Sequence, residues 1–284
     1  MCLVSVLMPS YNHEKYIAQA IESVLNQTFG DLELLILDDA SKDHTREIIE
    51  SYRVRDKRVK PFYHAVNKGI ALTMNELLDK AQGEYVALFA SDDLWFKDKV
   101  EKQLSILKDK PDCVVWTEGL IIDSEGNSTG TLFTQYYRVE GRKRSGNIFL
   151  DLLKGNYICG QSVIAKTEYI KSNRYDERIT YSNDYKLWVE IAKTHEFYFI
   201  PEPLTMYRLH GENTVCLKEE VMQKEFVILL EVFLQEYKKL IPRKVRAELF
   251  EILSSAYRNI RQYDAAEYYM KRGKRLAKMD VFEQ

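Results

Sequence analysis

Tyr85-Val86-Ala87-Leu88-Phe89-Ala90-Ser91-Asp92-Asp93 is an apolar run closing, after one serine, on two adjacent carboxylates. A short, continuously apolar segment that follows a glycine reads as a strand buried on both faces. The pattern also stands upstream, where Leu32-Glu33-Leu34-Leu35-Ile36-Leu37 runs into Asp38-Asp39. In open α/β sheets ligands bind at the carboxyl ends of such strands. Adjacent like charges repel, so each pair implies a nearby cation, hydrogen-bond donors or a sugar. A divalent metal carrying a diphosphate meets that demand.

Outward from these strands, the first 115 or so residues alternate strand and helix patterns. Strand 1 is expected over about 3–8, and a helix over about 13–28, with Ile17, Ala20, Ile21, Val24 and Leu25 at helical spacing. Ser41 or Asp43 is placed to cap a helix carrying Ile48 and Ile49. A third strand is expected over about 59–64, and Asn67-Lys68-Gly69 turns into a helix through about 81. Gly83 then precedes the fourth strand, and Val114-Val115-Trp116 begins a fifth. The alternation predicts a mostly parallel sheet covered on both faces. From 117 to about 215 the order changes. Ile121–Asn127 reads as strand and turn, helices are expected near 147–153 and 183–194, and an extended piece spans Ser162–Ala165. Short strands are expected at Phe197–Ile200 and Leu204–Leu209, around two prolines. Beyond Cys216 nothing reads as a strand, Pro242 separates two helical stretches, and Ser254-Ser255-Ala256-Tyr257 followed by Ala265-Ala266-Glu267-Tyr268-Tyr269 resembles half of a tetratricopeptide unit. The expected organisation is therefore a domain over 1–215, made of halves 1–116 and 117–215, followed by a helical extension over 216–284.

A chain of 284 residues with 45% hydrophobic and 30% charged residues is globular, and a net charge of −2 excludes broad attraction to nucleic acid. Locally the tail is basic, with twelve Lys or Arg against four Asp or Glu between Lys238 and Lys278. That excess suits a peripheral contact with an anionic membrane or a protein partner. The cysteines, Cys2, Cys113, Cys159 and Cys216, lack paired spacing, which fits a reducing cytoplasm better than a disulfide framework or a thiolate zinc site. The apolar N-terminus has no basic region before it and reads as a strand rather than a signal peptide. No apolar stretch reaches the roughly 20 residues of a membrane span.

The chemistry-bearing residues cluster at strand ends. Tyr11 can stack on a nucleobase or form a half-buried turn, and Asn12 can cap the following helix. Asp39 ends the next strand, within reach of the same base. Ser91-Asp92-Asp93 provides oxygen ligands of the kind magnesium and manganese prefer. Each of these acids is also a candidate helix cap. Neither a Walker loop nor a GxGxxG motif occurs.

VSVLMPSYN (4–12), AIESVLNQTFGDLELLILDDASKD (20–43), NKGIALTMN (67–75) and GEYVALFASDD (83–93) together resemble family 2 inverting glycosyltransferases of the bacterial surface-polysaccharide type, over about residues 3–212. The resemblance implies a GT-A fold, a Rossmann-like, mostly parallel mixed sheet flanked by helices. It implies that Pro9 and Tyr11 line a uracil pocket and that Asp39 reads the base. Asp92 would contact ribose, and Asp93 would hold a Mn2+ or Mg2+ ion bridging the diphosphate. Lys68 and Gly69 would border the nucleotide-sugar. Tyr181-Ser182-Asn183-Asp184-Tyr185-Lys186-Leu187-Trp188 matches the acceptor-side stretch, so Asp184 would be the general base. In the closing segment Tyr207–Thr214, His210 is a candidate further metal ligand and Arg208 a candidate neutraliser of the diphosphate. The chain departs from the pattern at Ala90 and Asn183, where many members carry acids. The expected reaction moves a sugar from a UDP-hexose or UDP-N-acetylhexosamine to a lipid-linked saccharide at the inner face of the cell membrane. A metal-dependent nucleotide-sugar phosphohydrolase and a non-catalytic assembly subunit are the alternatives.

Overall fold

The computed structural model describes residues 2–142, 145–213 and 217–279. The boundary expected between 215 and 216, with Cys216 and Thr214 beside it, lies outside the described residues. The chain divides into two compact units. One takes in residues up to Ile148 together with Tyr157–His210, and the other comprises Phe149–Asn156 and the residues from Gly211 onward.

In the first unit the strands are β1 (Val4–Ser10), β2 (Leu32–Asp38), β3 (Val59–Tyr63), β4 (Tyr85–Leu88), β5 (Leu94–Trp95), β6 (Cys113–Ile122), β7 (Ser128–Leu132), β8 (Ile164–Lys166) and β9 (Glu196–Arg208). Among the described residues they form one sheet of order β3-β2-β1-β4-β8-β6-β9-β5, with β7 paired to β6. The strands β3, β2, β1 and β4 run parallel, β8 is antiparallel to both its neighbours, and β6 and β9 are parallel to each other. The helices α1 (Ile17–Leu25), α2 (Thr45–Arg55), α3 (Ile70–Lys80) and α4 (Lys99–Asp109) alternate with the first strands. Shorter α5 (Phe133–Tyr136), α7 (Thr167–Asn173) and α8 (Asn183–Ala192) accompany the second half.

Burial follows the sequence pattern. Every residue of β2 is buried, including Glu33, whose carboxylate accepts from Ser5 Oγ at 2.5 Å and Lys60 Nζ at 2.6 Å. The apolar faces of α1 and α2 (Ile17, Ala20, Ile21, Val24, Ile49) pack with Val4, Val6, Leu34 and Ile36. Gly83, before β4, has no room for a side chain, since a Cβ would stand 2.6 Å from Ser5 N.

Two expectations are corrected. The helix after β1 begins at Ile17, because the His13 carbonyl first accepts from Tyr16 and Ile17 N–H in a turn. The two strands expected around Pro201 and Pro203 are one, β9, whose pairing with β6 shifts register at Glu118. Proline cannot donate to a ladder, so an irregularity of that kind accommodates it. The two-residue β5 and helix α7 carry too short a pattern to be expected from sequence.

In the second unit, α6 (Phe149–Leu152) accompanies α9 (Glu219–Glu236), α10 (Arg243–Asn259) and α11 (Tyr263–Met279). Leu229, Leu230, Phe233, Leu249, Leu253 and Ala266 are buried, and Phe149 meets Tyr237 ring to ring at 5.5 Å. Tyr257 and Tyr269 stack at 5.5 Å, and both hydroxyls donate to Glu231 Oε1. No described helix is long and apolar enough to cross a membrane.

Candidate active site

Strand order reverses between β1 and β4: the chain leaves β1 toward β2 and β3, then returns through α3 to place β4 on the other side. The connections diverge there and leave a crevice at the carboxyl ends, the position where open α/β sheets bind ligands. The loop after β1 brings Tyr11, Asn12 and His13 to this edge, and the loop after β4 brings Ser91, Asp92 and Asp93.

Asp92 stands beside two imidazoles. His210 Nε2 lies 3.1 Å from Asp92 Oδ2, and His13 Nε2 lies 4.0 Å from the same oxygen. The ligand atoms of His13, Asp92 and His210 all fall within 4.8 Å of one another. Ligand bonds of about 2.0–2.2 Å put donors roughly 3–4.4 Å apart around one ion, so these three side chains would need to close in by only a few tenths of an ångström to hold a divalent metal. The Tyr16 ring lies 4.7 Å from that of His210 and supports it. Burial alone would raise the Asp92 carboxyl, but the His210 hydrogen bond and the nearby His13 and His210 hold it below the usual range. Asp93 behaves oppositely, because burial and then the charge of Asp92 push it well above that range. Its Oδ1 accepts from the Arg208 backbone N–H at 2.7 Å. The histidines therefore gather around Asp92, whereas the resemblance assigned the metal to Asp93.

Arg208 is fully buried. Its Nε donates to the Asp92 carbonyl at 2.7 Å, one terminal nitrogen to the Ser124 carbonyl at 3.0 Å, and the other to Gln19 Oε1 at 2.8 Å. The guanidinium is thus committed to protein oxygens and staples the loop after β4 to the β6–β7 turn. These bonds give Arg208 a supporting role at the edge of the crevice, which the resemblance did not suggest.

The loop after β2 is built around a second carboxylate. Asp39 Oδ1 accepts from Lys68 N–H at 2.8 Å and lies 2.7 Å from His64 Nδ1, while Oδ2 accepts from Gly69 N–H at 2.8 Å. Gly69 has φ +86, a left-handed conformation natural to glycine, so it turns its amide onto Asp39. The Lys68 ammonium pairs with Glu76 at 2.9 Å. Lys68 and Gly69 thus meet Asp39 through backbone, and Asp39 organises the loop that leads into α3. Asn12, with φ 53, does not cap α1; its side-chain oxygen accepts from Lys42 N–H at 2.8 Å and ties the loops after β1 and β2 together. Tyr11 is 43% exposed, leaving a ring face for stacking, and Pro9 lies within β1 opposite Leu37.

Asp184 lies in the first turn of α8, two residues after the capping position held by Ser182, and Oδ1 accepts from Tyr185 N–H at 2.7 Å. A side chain added at Gly160 would come within 3.4 Å of Asp184 Oδ2. The adjacent Cys159 thiol is pushed well above its ordinary range by burial first, then by Asp93 and Glu118, with a smaller contribution from Asp184.

Sequence reasoning missed His13, Gln19, His64 and Glu76. Only His13 had a signal, since it directly follows the Tyr-Asn that ends the first strand.

The family model described as glycosyl transferase family 2 matches residues 5–171. An uncharacterized glycosyltransferase of Haemophilus influenzae is 38% identical over 177 residues, 62% of this chain and 66% of that protein. The putative teichuronic acid biosynthesis glycosyltransferase TuaG of Bacillus subtilis is 45% identical over 108 residues, 38% of this chain and 43% of TuaG. Each match spans less than two thirds of the relative's length. S. aureus TarS 1-349, solved in complex with UDP, superposes with a TM-score of 0.63 at 16% identity, covering 96% of this chain and 91% of that one. The mannosyltransferase PcManGT from Pyrobaculum calidifontis, solved with GDP-Man and Mn2+, gives 0.64 at 16% identity, covering 99% and 79%. At such identities the likeness speaks to fold, and the fold is GT-A. With the family model spanning more than half of its length, this chain belongs to glycosyltransferase family 2.

Proposed function

We propose that this protein is a metal-dependent inverting glycosyltransferase that moves a sugar from a nucleotide-sugar to a saccharide acceptor in cell-surface polysaccharide synthesis. The observation that carries the reading is the Asp92–His210 pair at the switch point of the sheet. A UDP-hexose or UDP-N-acetylhexosamine is the proposed donor, supported by the TarS structures with UDP and UDP-GlcNAc. The name of TuaG supports a cell-wall glycan as product, and a lipid-linked acceptor is the proposed form. The helical unit, with its basic excess, is proposed as the contact with the inner face of the membrane or with a partner.

In this reading Tyr11 stacks on the base, Pro9 borders it, and Asp39 presents a carboxylate whose geometry is held by Lys68, Gly69 and His64. Asp92 and His210 would hold a divalent ion, Mn2+ or Mg2+, which when bound would supply positive charge against the leaving diphosphate. Asp93, anchored on the Arg208 backbone, fixes the turn that aims Asp92. Asp184 accepts the proton of the acceptor hydroxyl as its oxygen attacks the anomeric carbon and the nucleoside diphosphate departs from the opposite face. General-base catalysis of this kind contributes about 100- to 10,000-fold.

A donor screen by mass spectrometry tests the proposal: full chain, Mn2+, a panel of nucleotide-sugars and a short lipid-diphosphate saccharide. An acceptor gaining one hexose or N-acetylhexosamine, at a rate falling about 100-fold or more in Asp184→Asn, supports it. Equal release of free sugar with and without acceptor would overturn it in favour of hydrolysis.

A further inference from the structure

We propose that His13 supplies a third protein ligand to the metal at Asp92 and His210, replacing an oxygen ligand that the chain lacks at Ala90. The resulting set of two imidazoles and one carboxylate would favour manganese and later transition ions over magnesium. This inference rests on the metal reading of Asp92 and His210 above.

Three observations carry it. The first is position: His13 leaves β1 and Asp92 leaves β4, so the strand reversal brings their loops to one crevice, with His13 Nε2 4.0 Å from Asp92 Oδ2. The second is orientation. His13 Nδ1 lies 2.7 Å from Ser91 Oγ, and Ser91 is buried. With the Nδ1 proton donated to Ser91, Nε2 keeps its lone pair and faces Asp92. Metal-binding histidines are commonly oriented by such a partner on the other ring nitrogen. The third is anchoring. His13 N–H donates to Thr45 Oγ1 at 2.9 Å, and the His13 carbonyl accepts from Tyr16 and Ile17 at the start of α1. The ring is thus mounted on a fixed turn rather than a loose loop, while its side chain remains 23% exposed toward the crevice.

The donor chemistry then sets the preference. Magnesium takes oxygen ligands and keeps its waters, whereas imidazole suits transition ions. Alanine at position 90 offers no oxygen two residues before Asp92, so the second histidine changes the kind of donor as well as their number.

The test uses the full chain with UDP and Mn2+, read by pulsed electron paramagnetic resonance and by titration calorimetry. Wild type should show two directly bound imidazole nitrogens on Mn2+, and His13→Gln one. His13→Gln should weaken Mn2+ binding about 10- to 100-fold, a loss typical of disturbed metal-site support, while Mg2+ binding changes less than about 3-fold. Ser91→Ala, which leaves the ligand but frees its ring, should weaken Mn2+ by a smaller factor. A single imidazole nitrogen in wild type, or unchanged Mn2+ affinity in His13→Gln, would overturn the inference while leaving Asp92 and His210 in place. Unchanged Mn2+ binding in Asp92→Ala would instead overturn the metal reading itself, and this inference with it.

Discussion

Replacing Arg208 by methionine separates two readings of that side chain. In the structure the guanidinium serves three near acceptors, the carbonyls of Asp92 and Ser124 and the side chain of Gln19. Methionine keeps the apolar stem and removes every donor. The Asp92 carbonyl loses a charge-assisted hydrogen bond of about 1.5–3 kcal/mol. Ser124 and Gln19 are exposed, so water recovers most of those bonds and each loss is at most about 1 kcal/mol. The sum, about 1.5–5 kcal/mol, is a large part of an ordinary domain's roughly 5–15 kcal/mol. Urea unfolding followed by circular dichroism measures it, and Mn2+ and UDP titrations on the same protein report whether Asp92 has moved. The staple reading expects a lower unfolding midpoint together with weaker Mn2+ and UDP binding. Stability within about 0.5 kcal/mol of wild type, with UDP affinity down tenfold or more, would refute it and return Arg208 to the diphosphate role suggested by sequence.

Gly83→Ala sets a Cβ 2.6 Å from Ser5 N and should cost about 1–3 kcal/mol or more, read as a lowered unfolding midpoint. Lys99 is fully buried, bonded to Gln103 and 4.0 Å above the Trp95 ring, and its burial lowers the ammonium's proton affinity well below the lysine range. Between that depressed native value and the ordinary lysine range, the unfolded chain holds a proton that the native state lacks. Stability should rise with pH toward the ordinary lysine range, by up to about 1.4 kcal/mol per unit, and fall as pH drops through the depressed native value. In urea unfolding between pH 7 and 9.5, Lys99→Met should lose that slope; parallel curves would mean Lys99 is charged in the native protein. Tyr11→Ala should weaken UDP binding by about 1–3 kcal/mol of lost stacking while leaving unfolding unchanged, and unaltered calorimetric affinity would remove Tyr11 from the base site.

The alternation of apolar runs with helical spacing was enough to place β1, β2 and β4 and the helices between them, because strands buried on both faces leave an unmistakable pattern. The carboxylates after β2 and β4 were likewise legible as lying together at the carboxyl edge of the sheet, because both strands are parallel neighbours of β1. What the sequence could not carry was the division of labour within that edge. Whether Asp92 or Asp93 meets His210 depends on which carboxylate the Arg208 backbone captures, a contact across more than a hundred residues. The same holds for Arg208, whose charge suggests a phosphate until the β6–β7 turn closes over it. It holds for His13 as well, whose place after Tyr-Asn marks it as an edge residue but whose partner appears only when the strand reversal sets its ring beside Asp92. Local pattern determines which elements form. The partner of a long polar side chain is decided only when distant loops converge, because hydrogen bonds act over about 3 Å and nothing in local spacing encodes that distance.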